Sequence, residues 1–390
     1  MTEPDNPTRF DLKSRPFPVR NHDQNSSGRS ELVAAATLAA LPDITPHRLR
    51  RLFERFGDAK SALMAVSRGE AAAALRAGDA GAADLARRWQ RGADPVRVAT
   101  EMDRRGTHVW VEGADGFPIT KPAANPPCVL LGEGVAGDVF DRPRVAIVGT
   151  RSATPHGLAD AAELGGFLAL AGVTVVSGMA IGIDGAAHEG ALAASGAVVG
   201  VVATGLDIEY PRRHAPLYRR VRKNGVVVSE HWYGVPPDRG RFPVSNRIIA
   251  ALSDVVVIVE ATLKGGARHT ADAALDYGRP VLAIPGSRRN AAAAGCNQLI
   301  SDGAGPLLEP SDVLVALELA AGGRAKWKAP RAAERSRDER AVLRSLGGEP
   351  ATVDDIMVRT GLATSTVINA LRSLERDQGV RRQRGFIWPS

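Results

Sequence analysis

Five short segments carry residue types whose spacing suits the binding of an anion. The first, Val148-Gly149-Thr150-Arg151-Ser152-Ala153-Thr154, lies between an apolar run and a helix predicted from Gly157. A glycine turn there frees backbone N–H groups, and the helix N-terminus adds partial positive charge. Arg151 brings a forked guanidinium that matches phosphate. The second, Ser177-Gly178-Met179-Ala180-Ile181-Gly182-Ile183-Asp184-Gly185-Ala186-Ala187-His188, has two glycines that let the main chain approach an anion closely. Asp184 is placed to N-cap the helix that follows, with His188 as a structural side chain one turn further on. As an acid–base pair or metal site the two would need more ligands, and their neighbours supply none. The third segment, Gly205 to His214, continues through Arg219, Arg220, Arg222 and Lys223, so that with Arg212 and Arg213 six Lys or Arg fall within a dozen residues. The fourth, Phe242-Pro243-Val244-Ser245-Asn246-Arg247-Ile248-Ile249, opens a helix with a polar, basic start. The fifth, Gly265-Gly266-Ala267-Arg268-His269-Thr270, is another glycine loop before a helix.

Several arginine-bearing glycine loops describe an extended anionic ligand better than a single nucleotide. The phosphate-contact candidates are Gly149, Thr150, Arg151, Ser152, Gly178, Gly182, Asp184, Arg212, Arg213, Asn246, Arg247, Gly266 and Arg268. The dinucleotide fingerprint G-x-G-x-x-G is absent after the strand Val145–Val148, and the sequence has neither a G-K-[ST] P-loop, a G-x-S-x-G elbow nor a His–Cys metal cluster. No catalytic residue, metal or cofactor is called for.

The elements that must position these segments are legible as texture. The runs Val145–Val148, Val173–Val176, Val198–Val202, Val226–Val228, Val255–Val259 and Val281–Ile284 are continuous and Val/Ile-rich, the pattern of parallel strands buried on both faces. Between most of them lie the helix-length segments Gly157–Ala171, Ala186–Ala194, Ala215–Lys223, Asn246–Leu252 and Thr270–Tyr277. Such alternation predicts a doubly wound α/β sheet, Rossmann-like and mostly parallel, with ligands beyond the carboxyl ends of the strands. Residues 1–30 read as a disordered tail and 31–95 as a small helical domain with a helix-hairpin-helix-like, SAM-like look. There Leu49, Leu52, Phe53 and Phe56 mark an apolar stripe. Asp43 and Thr45 stand in its hairpin where phosphate-binding hairpins have glycines, which favours a structural role. Residues 96–129 read as a connector, 130–319 as the Rossmann-like domain and 320–337 as a charged linker. In 338–390, Thr352 and Asp355 fit a helix cap and Val367, Ala370, Leu371 and Leu374 form a stripe. The basic hairpin Gly379 to Trp388 completes a winged helix.

Bulk properties agree. The 390 residues carry a formal charge of +7 and are 44% hydrophobic, an ordinary globular composition with a bias toward polyanionic partners. Two distant cysteines, Cys128 and Cys296, make no disulfide framework. With no signal-peptide pattern and no run long enough to span a bilayer, a cytoplasmic protein is expected, without membrane contact.

Together the motifs V-G-T-R-S, S-G-M-A-I-G-I-D-G-A-A-H, G-L-D-I-E-Y-P, S-E, F-P-V-S-N-R-I-I-A-A-L-S-D and A-I-P-G-S…G-C-N-Q-L-I-S-D-G-A resemble the DprA/Smf family of DNA-processing proteins, from about Glu31 to the C-terminus. The resemblance implies single-stranded DNA binding without sequence readout, homodimerisation and loading of RecA recombinase during transformation, rather than enzymatic activity. It implies DNA contact by Arg151, by the loop of Gly178, Gly182 and Asp184, and by Asn246 and Arg247. It also implies a dimer and RecA surface around Gln298, Leu299, Ile300 and Ser301. Ile181 and Ser245 stand where the family commonly has cations, while Arg268 and His269 replace residues that are usually apolar. Arg268 either restores a lost phosphate contact or faces solvent. Two other classes are weighed beside this one. A nucleotide phosphoribohydrolase would need a P-G-G-x-G-T loop and a catalytic glutamate, and Gly265–Thr270 lacks both the proline and the downstream acid. A winged-helix regulator would rest on the terminal hairpin.

Overall fold

Each Val/Ile run is a strand because both of its faces are covered. A computed structural model describes residues 26–75, 81–238, 240–322, 337–346, 350–376, 380–383 and 386–389. The chain divides into two compact units, Met1–Trp327 and Lys328–Ser390.

The first unit opens with helices α1 (Ser26–Ala39), α2 (Pro46–Phe56), α3 (Ala59–Ser67), α4 (Ala82–Gly92) and α5 (Pro95–Arg105). Residues 26–30, expected in a tail, are therefore helical, and 1–25 lie outside the described residues. In the hairpin before α2, Asp43 adopts φ 54 and its carboxylate pairs with Arg88, while the Thr45 side chain caps the helix at the Arg48 N–H. Both hairpin residues have local structural work. Leu49 and Leu52 are buried, with Phe53 and Phe56 packed beside them, in one cluster with Val145, Val175 and Val257 of the strands. The helical segment is continuous with the core of the sheet because α1 lies against the first two strands.

Those strands are β1 (His108–Val111) and β2 (Val129–Gly134). The expected connector 96–129 thus holds most of α5 and an edge strand of the sheet, whose short runs lack the Val/Ile density of the centre. The chain continues through β3 (Arg144–Val148), α6 (Pro155–Leu170), β4 (Thr174–Ser177), α7 (Ile183–Ala193), β5 (Val198–Val201), α8 (Ala215–Asn224), β6 (Gly225–Ser229) and α9 (Arg241–Leu252). After these come β7 (Val255–Ile258), α10 (Ala267–Asp276), β8 (Val281–Ala283), α11 (Ala294–Ser301), β9 (Gly305–Pro306) and α12 (Asp312–Ala320). The sheet order is β1-β2-β6-β5-β4-β3-β7-β8-β9, antiparallel at β1 and β2 and parallel from β6 to β9. Alternate residues feed opposite cores: Val145 and Ile147 join one cluster, Ala146 and Val148 the other. Helices α6 and α7 approach closely because Gly165 faces the Ala187 carbonyl and Gly190 the Ala162 carbonyl, where no side chain fits. Among the described residues no helix is long and apolar enough to cross a membrane.

The second unit contains α13 (Arg337–Leu346), α14 (Val353–Thr360) and α15 (Thr364–Arg376), followed by the antiparallel pair β10 (Val380–Gln383) and β11 (Phe386–Pro389). Thr352 and Asp355 form a reciprocal capping box on α14. Val367, Ala370, Leu371 and Leu374 join Ile356 and Ile387 in the core. This is a winged helix. Of the expected linker, 323–336 lie outside the described residues, as do Gly379, Arg384 and Gly385 of the hairpin.

Candidate functional site

The sheet order reverses between β3 and β7: from β3 the chain winds outward through β4, β5 and β6, then returns to place β7 on the other flank. The loops leaving the carboxyl ends of β3 and β7 therefore diverge and open a crevice. The loop after β3 is tied to the one after β7 at several points. Thr150 N–H donates to the Glu260 carbonyl at 2.7 Å. Glu260, only 7% exposed, accepts the Thr154 N–H at 2.9 Å and the Thr154 hydroxyl at 2.6 Å. The Thr154 oxygen in turn caps α6 at the Gly157 N–H. Gly149 has no room for a side chain, since a Cβ would stand 2.5 Å from Ile183 Cγ1 and 2.8 Å from the Glu260 carbonyl. Glu260 escaped the sequence reading. The signal was a carboxylate one residue beyond the apolar run Val255–Val259, on the strand flanking the reversal.

The second loop is organised by Asp184, though not as a cap. The N-cap of α7 is Gly182, at φ 86 with Thr150 main chain against its α-carbon, and Asp184 lies inside the first turn. Its carboxylate accepts the Gly178 N–H at 3.0 Å. Burial pushes the carboxyl up to about 6 against the opposing pull of the Gly178, Ala180 and Gly149 amides. These are the amides expected to cradle phosphate, and here an internal carboxylate takes them. Asp184 is thus the anchor of the glycine loops and lies beneath their surface. His188 is sealed and burial lowers its imidazole to about 4, so the ring is neutral.

Above these anchors the cations are unevenly placed. Arg151 and Ser152 are exposed at the crest of the first loop. The third segment docks beside the second, with His214 Nδ1 3.0 Å from the Met179 carbonyl and Tyr218 OH donating to the Tyr210 carbonyl at 2.9 Å. Arg212 and Arg213 are exposed and form no ion pair among the described residues. The rest of that basic run is divided, because Arg220 pairs with Glu189 while Arg222 meets Glu209 at 2.8 Å and Glu133 at 3.2 Å.

Asn246 donates to the Gly266 carbonyl at 3.1 Å, joining α9 to the loop after β7. Arg247 is turned inward: 12% exposed, it donates to Glu230 at 2.7 Å, and it does not stand at the surface as a phosphate contact should. Burial raises the Glu230 carboxyl while Arg247 opposes that rise. Gly266 has open space around its α-carbon, so it is not needed for close approach. Arg268 is part-exposed with its guanidinium 3.9 Å from Asp302. Ile181 is half-buried and Ser245 buried. In the segment expected as a dimer surface, Leu299 is a core residue at 3% exposure and Ile300 packs against that core. Gln298 and Ser301 are exposed, because only one face of α11 points outward. The spacing G-x-G-x-x-G does occur at Gly132, Gly134 and Gly137, but it starts on antiparallel β2 and so points to the opposite edge of the sheet.

The family described as DNA recombination-mediator protein A matches residues 109–318, and the DprA winged helix domain matches 327–385. The chain is 37% identical over 325 residues to a DNA processing protein DprA of Mycobacterium tuberculosis, covering 78% of this chain and 83% of that one. It is 37% identical over 242 residues to the protein Smf of Escherichia coli, covering 60% of this chain and 64% of that one. Among solved structures, DNA processing protein A of Streptococcus pneumoniae superposes with a TM-score of 0.61 at 28% identity, over 73% of this chain and 96% of that one.

Proposed function

The chain belongs to the DNA recombination-mediator protein A family of DNA-processing proteins, and from that premise we propose that it binds single-stranded DNA without sequence preference and helps load RecA recombinase onto it. It acts as a homodimer in the cytoplasm and catalyses no reaction of its own. The observation that carries this reading is the layering of charge at the crevice. Carboxylates Asp184 and Glu260 are buried and hold the loops, while Arg151, Arg212 and Arg213 are exposed above them. A phosphate backbone meets a positive, preformed rim whose shape does not depend on the ligand. Asp184 is committed to loop amides and His188 is sealed, so neither is presented to a substrate as an acid or base.

The test is binding of the full chain to single- and double-stranded oligonucleotides across a salt series. Single strands should bind more tightly, whatever their sequence. Arg151→Ala should lower affinity on all of them by about tenfold and flatten the salt slope by about 0.7, the value of one phosphate on a single strand. Sedimentation of the same complexes should give two chains per particle. Equal affinity of wild type and Arg151→Ala at every salt concentration would remove the crevice from the DNA path.

A further inference from the structure

We propose that the loop between β8 and α11, through Arg288 and Arg289, is a second docking point for the single strand, which crosses the crevice and continues onto the outer side of β7. This rests on the single-strand-binding reading and extends its site to residues outside the five basic segments.

Because β8 runs parallel to β7, its loop leaves the same carboxyl edge. The far end of that loop is fixed to the crevice. Gly295 N–H donates to the Ala261 carbonyl at 2.7 Å, and a Cβ on Gly295 would lie 2.7 Å from both the Ala261 and Thr262 carbonyls. Those carbonyls directly follow Glu260, the residue that ties down the loop of Arg151. At its near end, Asn297 clasps Gly286 twice, accepting its N–H at 3.1 Å and donating to its carbonyl at 2.9 Å. Between the clamps the chain folds on itself: Asn290 N–H reaches the Ser287 carbonyl at 2.9 Å and Ala292 N–H the Asn290 side chain at 3.0 Å. Arg288 and Arg289 are left exposed on this fixed turn.

The loop that carries them has no acidic residue of its own. From Pro285 to Gln298 the sequence holds no Asp or Glu, and among the described residues neither arginine forms an ion pair. Elsewhere on the unit, arginines such as Arg220, Arg222 and Arg247 have carboxylate partners. Two unpaired guanidinia on a clamped, acid-free loop raise the local potential and favour a polyanion. From the loop of Arg212 and Arg213 after β5 to that of Arg288 and Arg289 after β8 there are four strand spacings, about 19 Å. That is enough for several nucleotides to lie across Arg151 in the middle.

The experiment uses the full chain, with affinity read against salt for oligothymidylates of about 4 and about 16 nucleotides, the extremes of site size in single-strand-binding folds. The variants are Arg151→Ala, the pair Arg288→Ala with Arg289→Ala, and the charge-preserving pair Arg288→Lys with Arg289→Lys. Removing both arginines should weaken the longer probe about a hundredfold and flatten its salt slope by about 1.4, two phosphates' worth, with a smaller loss on the shorter probe. The lysine pair should keep the wild-type slope, and the wild-type melting temperature should be retained throughout because the side chains are exposed. If the alanine pair matches wild type on the longer probe while Arg151→Ala is weakened, the extension is wrong and the crevice stands. If wild type binds neither probe, the parent reading falls and the extension with it.

Discussion

The two edges of the parallel sheet carry the same kinds of residue with the burial reversed. At the amino edge the arginines are inside. Arg144 and Arg279, each 6% exposed, donate to the carbonyls of Pro118 at 2.5 Å and Pro122 at 3.3 Å, and so pin the segment between β1 and β2. Burial lowers both guanidinia from their ordinary range, with Asp254 opposing. Asp254 also accepts the Arg144 N–H at 2.9 Å and meets Lys121 at 2.5 Å. At the carboxyl edge the carboxylates Asp184 and Glu260 are inside while Arg151, Arg212 and Arg213 are outside, and Arg247 is drawn in by Glu230. An arginine buried against the main-chain carbonyls to which it donates is a strut. An arginine on the crest of loops already held by a buried carboxylate faces solvent. The difference between the edges therefore lies in which charge is used up by the fold, since both have cations.

The sharpest way to break this contrast is to truncate one strut. Arg144→Ala should cost about 3–4 kcal/mol of stability, because it removes packed volume and strands the Pro118 carbonyl. The protein that remains folded should bind single strands as wild type does. A variant of normal melting temperature with weakened DNA binding would show that the amino edge also faces the ligand.

The buried anchor at the other edge gives a pH signature. The Asp184 carboxyl stands at about 6 in the folded chain against an ordinary value of 3.8, so between those pH values the native state binds the extra proton. Its contribution is therefore favourable on the acid side and is lost as pH rises from about 4 through about 6, an effect on the order of 2–3 kcal/mol. Denaturant titrations of Asp184→Asn should lack this decline, so the difference between the variant and wild-type stability curves should change across that window. Parallel curves would mean that the amides of Gly178, Ala180 and Gly149 fully offset the cost of burying the Asp184 carboxylate, leaving its titration unshifted by folding.

The smallest effect sharpens the contrast within the rim. Arg268 is part-exposed and already faces Asp302 at 3.9 Å, so Arg268→Ala should weaken single-strand binding by about threefold or less, clearly below Arg151→Ala. An equal loss in the two variants would put Arg268 on the DNA path as a full phosphate contact, making up for the missing cations at Ile181 and Ser245.

Much of this architecture was already visible in residue order. The Val/Ile runs mark strands covered on both faces, and a parallel sheet sends its connecting loops to one edge, so the glycine segments after β3, β4 and β7 had to gather there. The Thr352 and Asp355 cap and the Val367–Leu374 stripe depend only on local spacing, and they fixed α14 and the core face of α15 in the same way. Edge strand β1 and its neighbour β2 were missed because they are short and poor in Val/Ile clusters, and antiparallel pairing of β2 with the distant β6 leaves no local mark. The assignments within the site needed the tertiary fold, because burial and partner choice are long-range properties. Arg247 and Arg151 look alike in sequence, yet Glu230 holds the first inside while the second crowns an exposed loop. Asp184 has the type and position of a helix cap, but the start of α7 packs against the loop after β3 through Gly182 and Ile183, and Asp184 lies under the amides of Gly149 and Gly178. Sequence thus determined which groups reach the carboxyl edge. Packing decided which of their charges face inward, since the free energy of a charge depends on how much water and which counter-charge the folded chain leaves beside it.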